Sequence, residues 1–311
     1  MSGKMSLSSK IEDFVSGLNE SFRLSDIYRK FPNEKKTTIR GRIYRELIGR
    51  GVITRISDGL YEFAGNDGQS GLVVQGNARD LSSIQDSSIS LIIADHPYKI
   101  QTGRNRDFTK GYQASLFEYQ QDDFNEKSRV LCEGCFLVEF LPEMKDGNAD
   151  YISNIIQMAK GAGLRLYARV PWYKAEVRNG KLIDHSANVG RKGVMEDIYI
   201  FSKGAPRKLR MRNQGGVIRS ESGAKSILPA VFMEKPLLRS EKSHQSAKPP
   251  QLIRKLIDLF TLEMEVVLDQ FAGSFVAFWE AIGMKRKAIA IELCQEYIDT
   301  NFLDLQTEEA A

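Results

Sequence analysis

The chain has 311 residues, 42% hydrophobic and 27% charged, with 44 Lys plus Arg against 40 Asp plus Glu. That mix excludes a disordered, solvating chain, and a formal charge of +4 leaves a polyanion partner open without arguing for one. Three cysteines exclude a disulfide framework, and no apolar run approaches the roughly 20 residues of a membrane span or forms a signal-peptide core, so a cytoplasmic protein is expected.

The length suits a small domain followed by a large one, and the polar run AGNDGQS at 64–70 marks the seam, giving domains 1–65 and 66–311. Ser8 or Ser9 caps a helix whose apolar face is Ile11, Phe14, Val15 and Leu18. A second helix fits 24–31 before Pro32. A third fits 37–50, with Ile39, Ile43, Tyr44 and Leu47 inward, and the strands 52–56 and 60–63 turn about Ser57-Asp58-Gly59. Helices followed by a hairpin make the winged helix-turn-helix pattern. From Lys35 to Arg55 there are seven basic residues, among them Lys35, Lys36, Arg40, Arg42 and Arg45, and one acid, Glu46. Phosphate neutralisation wants that imbalance, so these five are the expected DNA contacts of the small domain. A solvated face of a protein-interaction module is the plain alternative.

From Gly71 onward apolar bursts alternate with helical periods. Strands are expected at 72–74, 89–93, 135–140, 164–170, 197–201, 266–268 and 288–291, with helices at 149–162, 250–260 and 274–282. That alternation predicts an α/β fold, a Rossmann-like sheet covered by helices on both faces. Between Lys203 and Lys242 periodicity is weak and ten basic residues face three acids, which reads as a basic insertion. Arg207, Lys208, Arg210 and Arg212 are its expected DNA contacts.

Two segments carry chemistry. In SLIIADHPYKI (90–100) a strand runs straight into Asp95-His96-Pro97-Tyr98, at the carboxyl edge where open α/β sheets bind ligands. An acid, a rigid turn and an aromatic ring suit an exocyclic amino group held by hydrogen bonds under a stacked heterocycle. A polar turn after a strand is the plain alternative. In the second segment, 266–298, Asp269 ends a strand, Phe271-Ala272-Gly273-Ser274 turns, a helix follows, and the next strand ends at Glu292. A glycine turn that lets backbone approach a ligand, with an acid at the next strand tip for ribose hydroxyls, is a nucleoside site. Without a phosphate-binding G-x-G-x-x-G, S-adenosylmethionine fits better than a dinucleotide. Cys132-x-x-Cys135 has metal-like spacing but no second ligand pair, so buried thiols and no metal are expected. Trp172, Tyr173 and Trp279 read as packing and His185 as a surface histidine.

Asp95-His96-Pro97-Tyr98 resembles the D-P-P-Y motif of the DNA amino-methyltransferases, and LDQFAGS (268–274) resembles their D-x-F-x-G-S-G motif. The catalytic motif comes first, as in the circularly permuted beta class, and LVVQGNARDL (72–81), MEDIYIFSKG (195–204) and HQSAKPPQLIRKLI (244–257) are similar to other segments of that class. The resemblance covers about 71–302. It implies an adenine-N6 DNA methyltransferase that takes its methyl group from S-adenosylmethionine, acts on a flipped base in double-stranded DNA, and uses neither metal nor covalent intermediate. Asp95 and the carbonyl of His96 would accept the target amino hydrogens and Tyr98 would stack on the base. Asp269, Phe271, Gly273 and Ser274 would line the methionine side of the cofactor, which also lies against Asp95. Glu292 would bind its ribose and Asn77 its adenine, with His244 and Lys248 closing the pocket. The 203–242 segment would be the target-recognition region. Two residues depart from the pattern: His96 stands for Pro, and Phe275 stands where a final Gly is usual. A cytosine-N4 enzyme, or a DNA-binding regulator with a degenerate domain, are the alternatives. A homodimer is admissible, and a restriction partner is left open.

Overall fold

A computed structural model describes residues 7–16, 18, 22–36, 38–39, 53–57, 60–63, 71–97, 116–185, 195–212, 218–222, 227–237 and 247–303. The small N-terminal unit contains helices α1 (Leu7–Ser16) and α2 (Leu24–Lys30) and a three-stranded antiparallel sheet. Its strands are β1 (Phe22–Arg23), β2 (Ile53–Ser57) and β3 (Leu60–Phe63), in the order β1-β3-β2. The helical spacing seen in the sequence buries Ile11, Val15, Leu24 and Ile27 with Phe22 and Ile39. Most of the expected third helix, with Arg40, Arg42 and Arg45, lies outside the described residues.

The rest is built on an eight-stranded mixed sheet. In chain order the strands are β4 (Gly71–Gln75), β5 (Ile89–Ala94), β6 (Leu131–Pro142), β7 (Leu164–Tyr173), β10 (Met195–Lys203), β13 (Phe232–Met233), β14 (Val266–Asp269) and β15 (Lys287–Glu292). Across the sheet they run β13-β7-β10-β6-β5-β14-β15-β4, parallel from β6 to β4 and antiparallel at β10. Two hairpins stand apart, β8 (Ala175–Arg178) with β9 (Lys181–Asp184), and β11 (Leu209–Arg212) with β12 (Ile218–Ser222). The second hairpin gives the 203–242 segment an order that its weak periodicity concealed.

Strand β5 has all six residues buried, the signature of a central parallel strand. Its alternation sends Leu91 and Ile93 to one face of the sheet and Ile92 and Ala94 to the other. The first face is covered by α5 (Pro250–Phe260), which buries Leu252, Ile253, Leu256, Ile257 and Phe260, and by α6 (Val276–Gly283). Each such side chain stabilises the fold by about 1.5–3 kcal/mol. The second face is covered by α3 (Gln121–Val130), through Phe124 and Val130, and by α4 (Ala149–Gly161), through Ile152, Ile155 and Ala159. A last helix, α7 (Gln295–Leu303), follows β15, and an Arg23–Asp299 ion pair of 3.3 Å joins it to the N-terminal unit.

The chain leaves β5 toward β6 on one side and leaves β14 toward β15 on the other. The point between β5 and β14 is therefore a topological switch, where the loops after the strand ends part and open a crevice. Asp95 and Asp269 follow or end these two strands, and Glu292 ends the next one over.

Candidate active site

Asp95 is the first residue past β5, and its side chain is 23% exposed. Its Oδ2 accepts a hydrogen bond from Lys248 Nζ at 2.6 Å. Lys248, just before α5, also lies 3.3 Å from Glu196 on β10, and Glu196 in turn pairs with Lys174 at 2.7 Å. This row of alternating charges leads from Asp95 along the carboxyl edge of the sheet. Burial pushes the Asp95 carboxyl up, Lys248 opposes the shift, and Glu196 adds to it. Burial would raise Glu196 as well, but the two lysines hold it below its ordinary value. Lys248, expected at the cofactor, is thus seated on Asp95, the expected catalytic acid, with one of its carboxylate oxygens engaged.

His96 turns inward and is only 1% exposed. Its Nε2 lies 2.5 Å from the Tyr151 hydroxyl on α4, and its Nδ1 lies 3.7 Å from Glu139 Oε2 on β6. The ring packs on Tyr119 with centroids 4.0 Å apart. Glu139 and Lys127 form an ion pair with no solvent exposure, and Tyr119 joins both, donating toward Glu139 at 3.2 Å and accepting from Lys127 at 2.6 Å. Burial lowers the pKa of His96 and keeps the ring neutral despite Glu139. Pro97 is half-buried, and its carbonyl accepts a 3.4 Å bond from the Phe117 amide. Tyr98 and His244 lie outside the described residues.

The second acid, Asp269, is buried, and its Oδ2 accepts from the Phe278 amide at 3.1 Å. Burial, with help from the nearby Glu292 and Asp95 charges, pushes it up to about 8, so it is largely protonated near neutrality. The turn that follows is pinned to its neighbours: Gln270 N–H donates to Ile93 at 3.1 Å and Ala272 N–H to Ile291 at 3.0 Å. Gly273 sits at φ 49°, the left-handed region, and its amide donates to Glu292 Oε2 at 2.8 Å. Glu292 Oε1 accepts from the Cys294 amide at 2.7 Å, and the Leu293 amide also bears on the carboxylate, whose two oxygens together offer about four acceptor sites. Burial raises this carboxyl too. Asn77 is exposed just past β4, and Gly76 before it donates to the Glu292 carbonyl at 3.0 Å, bringing that loop to the same rim. Phe271 is half-buried with its ring 5.7 Å from Phe117, and Ser274 is half-buried beside Gly273.

Phe275 does not crowd this turn. It adopts φ 57°, ψ 20° and buries its ring completely, edge-on to Phe278 at 6.3 Å. The left-handed backbone aims the side chain into the core, and the core burial offsets the strain.

Among the expected DNA contacts, Arg207 needs correction. Its guanidinium is bidentate to Glu265 at 2.7 and 2.8 Å and also meets the Phe260 carbonyl, so it ties the 203–242 segment to the sheet and serves the fold. Lys203 likewise donates to the carbonyls of Ser128 and Leu131. Lys208 is exposed, Arg210 is half-buried, and Arg212 pairs through its backbone with Ile218. In the N-terminal unit Lys35 and Lys36 are exposed, Lys36 lying over the Tyr28 ring. Cys135 is buried and its thiol is pushed up to about 11, while Cys132 donates to the Ser87 carbonyl at 2.9 Å. Among the described residues no His, Cys, Asp and Glu group could hold a metal, and no helix is long and apolar enough to cross a membrane. Trp172 is core, its indole donating to the Glu234 carbonyl at 2.9 Å.

The residues that reading the sequence missed are Lys174, Glu196, Glu139, Lys127, Tyr119 and Tyr151. Only Glu196 falls in one of the segments that resemble the beta class, MEDIYIFSKG, and the others belong to no short motif. The detectable signals were charged residues interrupting otherwise apolar strands, Glu139 within β6 above all.

Comparison with known proteins agrees with this geometry. The chain is 25% identical over 243 residues to the type II methyltransferase M.HpaI of Haemophilus parainfluenzae, covering 73% of this chain and 71% of that one. The PvuII DNA methyltransferase, described as cytosine-N4-specific, superposes with a TM-score of 0.53 at 20% identity, covering 74% of this chain and 84% of that one. The structure of the M1.HpyAVI complex with S-adenosylmethionine matches with a TM-score of 0.50 at 16% identity, covering 76% and 98%. The family model of the N6/N4 methyltransferases, described as DNA methylase, matches residues 89–302, and the chain belongs to that family of S-adenosylmethionine-dependent enzymes.

Proposed function

We propose that the chain methylates the N6 amino group of adenine in double-stranded DNA. The observation that carries this reading is Asp95, set just past the tip of the central strand at the switch point, with Oδ2 engaged by Lys248 and its side chain still 23% exposed. Acid at this position is the adenine-type choice in the resembled class, where serine is commoner for cytosine N4. Bound in the crevice, the cofactor supplies an electrophilic methyl carbon on a sulfonium. The residues present fit it. Glu292 keeps lone pairs for ribose hydroxyls, Leu293 beside it is an exposed apolar surface 57% accessible, and buried Asp269 offers a carboxyl that a bound cation would favour in its ionised form. Asp95 and the His96 carbonyl hold the two amino hydrogens, orienting the nitrogen lone pair toward the methyl group. Tyr98 stacks on the flipped base. Proximity and orientation then supply most of the rate.

The same reading divides the chain. The order in sequence, β5 well before its sheet neighbour β14, is what a circular permutation requires. The helices and small sheet before residue 65 serve as a winged helix that grips phosphates through Lys35, Lys36, Arg40, Arg42 and Arg45, and Lys208, Arg210 and Arg212 lie on the arm that reads neighbouring bases. Nucleoside mass spectrometry of DNA from cells expressing the protein tests the chemistry. N6-methyladenine is the expected product. N4-methylcytosine overturns the base assignment, and the absence of any methylated base, with cofactor still bound in calorimetry, points to a DNA-binding regulator.

A further inference from the structure

His96 is the departure from the D-P-P-Y pattern, and its side chain is held by neighbours on two elements, Tyr151 on α4 and Glu139 on β6. A proline at this position would fix φ and restrict the residue before it, stiffening the loop that carries the catalytic acid. Histidine supplies no such backbone restraint. Its ring instead reaches down between α4 and β6, with Nε2 2.5 Å from the Tyr151 hydroxyl and Nδ1 3.7 Å from Glu139. Beneath it, Lys127 and Glu139 are fully buried, and Tyr119 bonds both while its ring packs on the imidazole at 4.0 Å. Lys127 lies 3.9 Å from the centroid of that Tyr119 ring. Phe271 of the cofactor turn closes the cluster, 6.2 Å from His96 by ring centroids.

Burying an ion pair of this kind costs several kcal/mol in desolvation, so stability is a poor reason for it. A buried polar cluster bonded through Tyr151 at one end and through Tyr119, Lys127 and Glu139 at the other favours one geometry, because shifting it leaves a buried charge or hydroxyl without its partner. On the reading proposed above, the geometry specified is that of the residue whose carbonyl accepts a target amino hydrogen.

We propose that His96 is a positioning residue for methyl transfer: its ring, hydrogen-bonded to Tyr151 and seated over the Glu139–Lys127 pair, anchors the catalytic loop by side-chain bonds where a proline would restrain the backbone. This rests on the methyltransferase reading above. The imidazole takes no part in bond making and touches neither base nor cofactor. It acts through the main-chain carbonyl at 96 and the direction of Asp95.

The test is a double-mutant cycle on the full-length chain, read by single-turnover transfer of labelled methyl groups to unmodified genomic DNA, with cofactor Kd by calorimetry and Tm measured alongside. Tyr151→Phe deletes one hydroxyl from the clamp. It is expected to slow transfer about 10-fold, roughly the worth of one hydrogen bond, while Kd for S-adenosylmethionine and Tm stay near wild type. His96→Pro restores the backbone restraint and is expected to keep most of the activity. Adding Tyr151→Phe to His96→Pro is then expected to cost nothing further. If His96→Pro does not fold, His96→Phe serves as the background: it keeps a ring without nitrogens, transfers slowly, and loses nothing more on adding Tyr151→Phe. A Tyr151→Phe enzyme that transfers at the wild-type rate overturns the proposal. An equal loss in both backgrounds, or a loss that tracks Tm, overturns it too. A wild-type chain that transfers no methyl group to DNA overturns the underlying reading as well, which keeps the two failures apart.

Discussion

On the proposed placement of the cofactor against Asp269, its affinity is expected to depend on pH. The buried Asp269 carboxyl titrates at about 8, so at pH 6 it carries a proton almost always, and at pH 8.5 it is mostly ionised. A sulfonium and an ammonium brought into the crevice favour the ionised form, so binding below pH 8 must expel a proton. Each pH unit below the free-state pKa then weakens binding about tenfold, and affinity is expected to fall roughly 100-fold between pH 8.5 and pH 6, about 3 kcal/mol. Isothermal calorimetry across that range, repeated near pH 7 in buffers of unlike ionisation enthalpy, is expected to show nearly one proton released per cofactor bound. Asp269→Asn is expected to bind more weakly at pH 8.5 and to lose most of the slope. The same group acts on stability in the opposite sense to an ordinary salt-bridged acid. The native carboxyl stays protonated up to about 8 while the unfolded one ionises above 3.8, so its stabilising contribution is complete below the lower value and is lost as pH rises through the upper one. Wild-type stability relative to Asp269→Asn is therefore expected to decline by about 1.4 kcal/mol per pH unit across that window. Affinity that stays flat from pH 6 to 8.5, or a slope that survives in Asp269→Asn, refutes the reasoning.

Three further outcomes are expected. Glu292→Ala removes the acceptor for Gly273 and for the ribose, and calorimetry is expected to show cofactor binding weakened by about 1.5–3 kcal/mol per lost bond to a charged group. Lys248→Met strips Asp95 of its cation, so the acid's pKa rises further and the pH–rate profile for methyl transfer is expected to move to higher pH; an unmoved profile counts against Lys248 as the partner that matters. Replacing Arg40, Arg42 and Arg45 together by Ala is expected to weaken DNA binding and to flatten its salt dependence by about 0.9 for each phosphate that is no longer neutralised, with the methylated sites, read by sequencing, unchanged.

The parts legible in the sequence are those where one local rule decides. Strand β5 announces itself because five of its six residues are apolar, with four in a row from Leu91 to Ala94, which fits a strand buried on both faces, and Asp95 follows at the sheet edge where ligands bind. Helix α5 starts where Pro250 suits a first turn and shows its apolar face at 252, 253, 256, 257 and 260. Helix α3, by contrast, is invisible there. Its sequence QDDFNEKSRV has two large apolar residues, and its inward face is completed by Lys127, which only Glu139 on the strand that follows makes tolerable. The hairpin β11–β12 is hidden because Arg210, Arg212 and Arg219 mask a short alternation, and Arg207 misleads because charge alone cannot distinguish a phosphate contact from a bond to Glu265.

Both departures from the methyltransferase pattern read as weaknesses in one dimension and as packed features in three. Phe275→Gly would remove left-handed strain of about 1–2 kcal/mol but would also delete a fully buried ring, a loss on the order of 3–5 kcal/mol. The second magnitude wins, so the variant is expected to be less stable by urea denaturation, by about 2–3 kcal/mol. A phenylalanine is retained there because the turn's shape comes from its pinned amides, Gly273 to Glu292 and Ala272 to Ile291, and leaves position 275 free to serve the core. At position 96 the exchange runs the other way, with backbone stiffness given up and side-chain anchorage gained. In each case what the chemistry needs is a placement of main-chain atoms, and main-chain atoms can be held by any side chain whose own partners leave it one place to go.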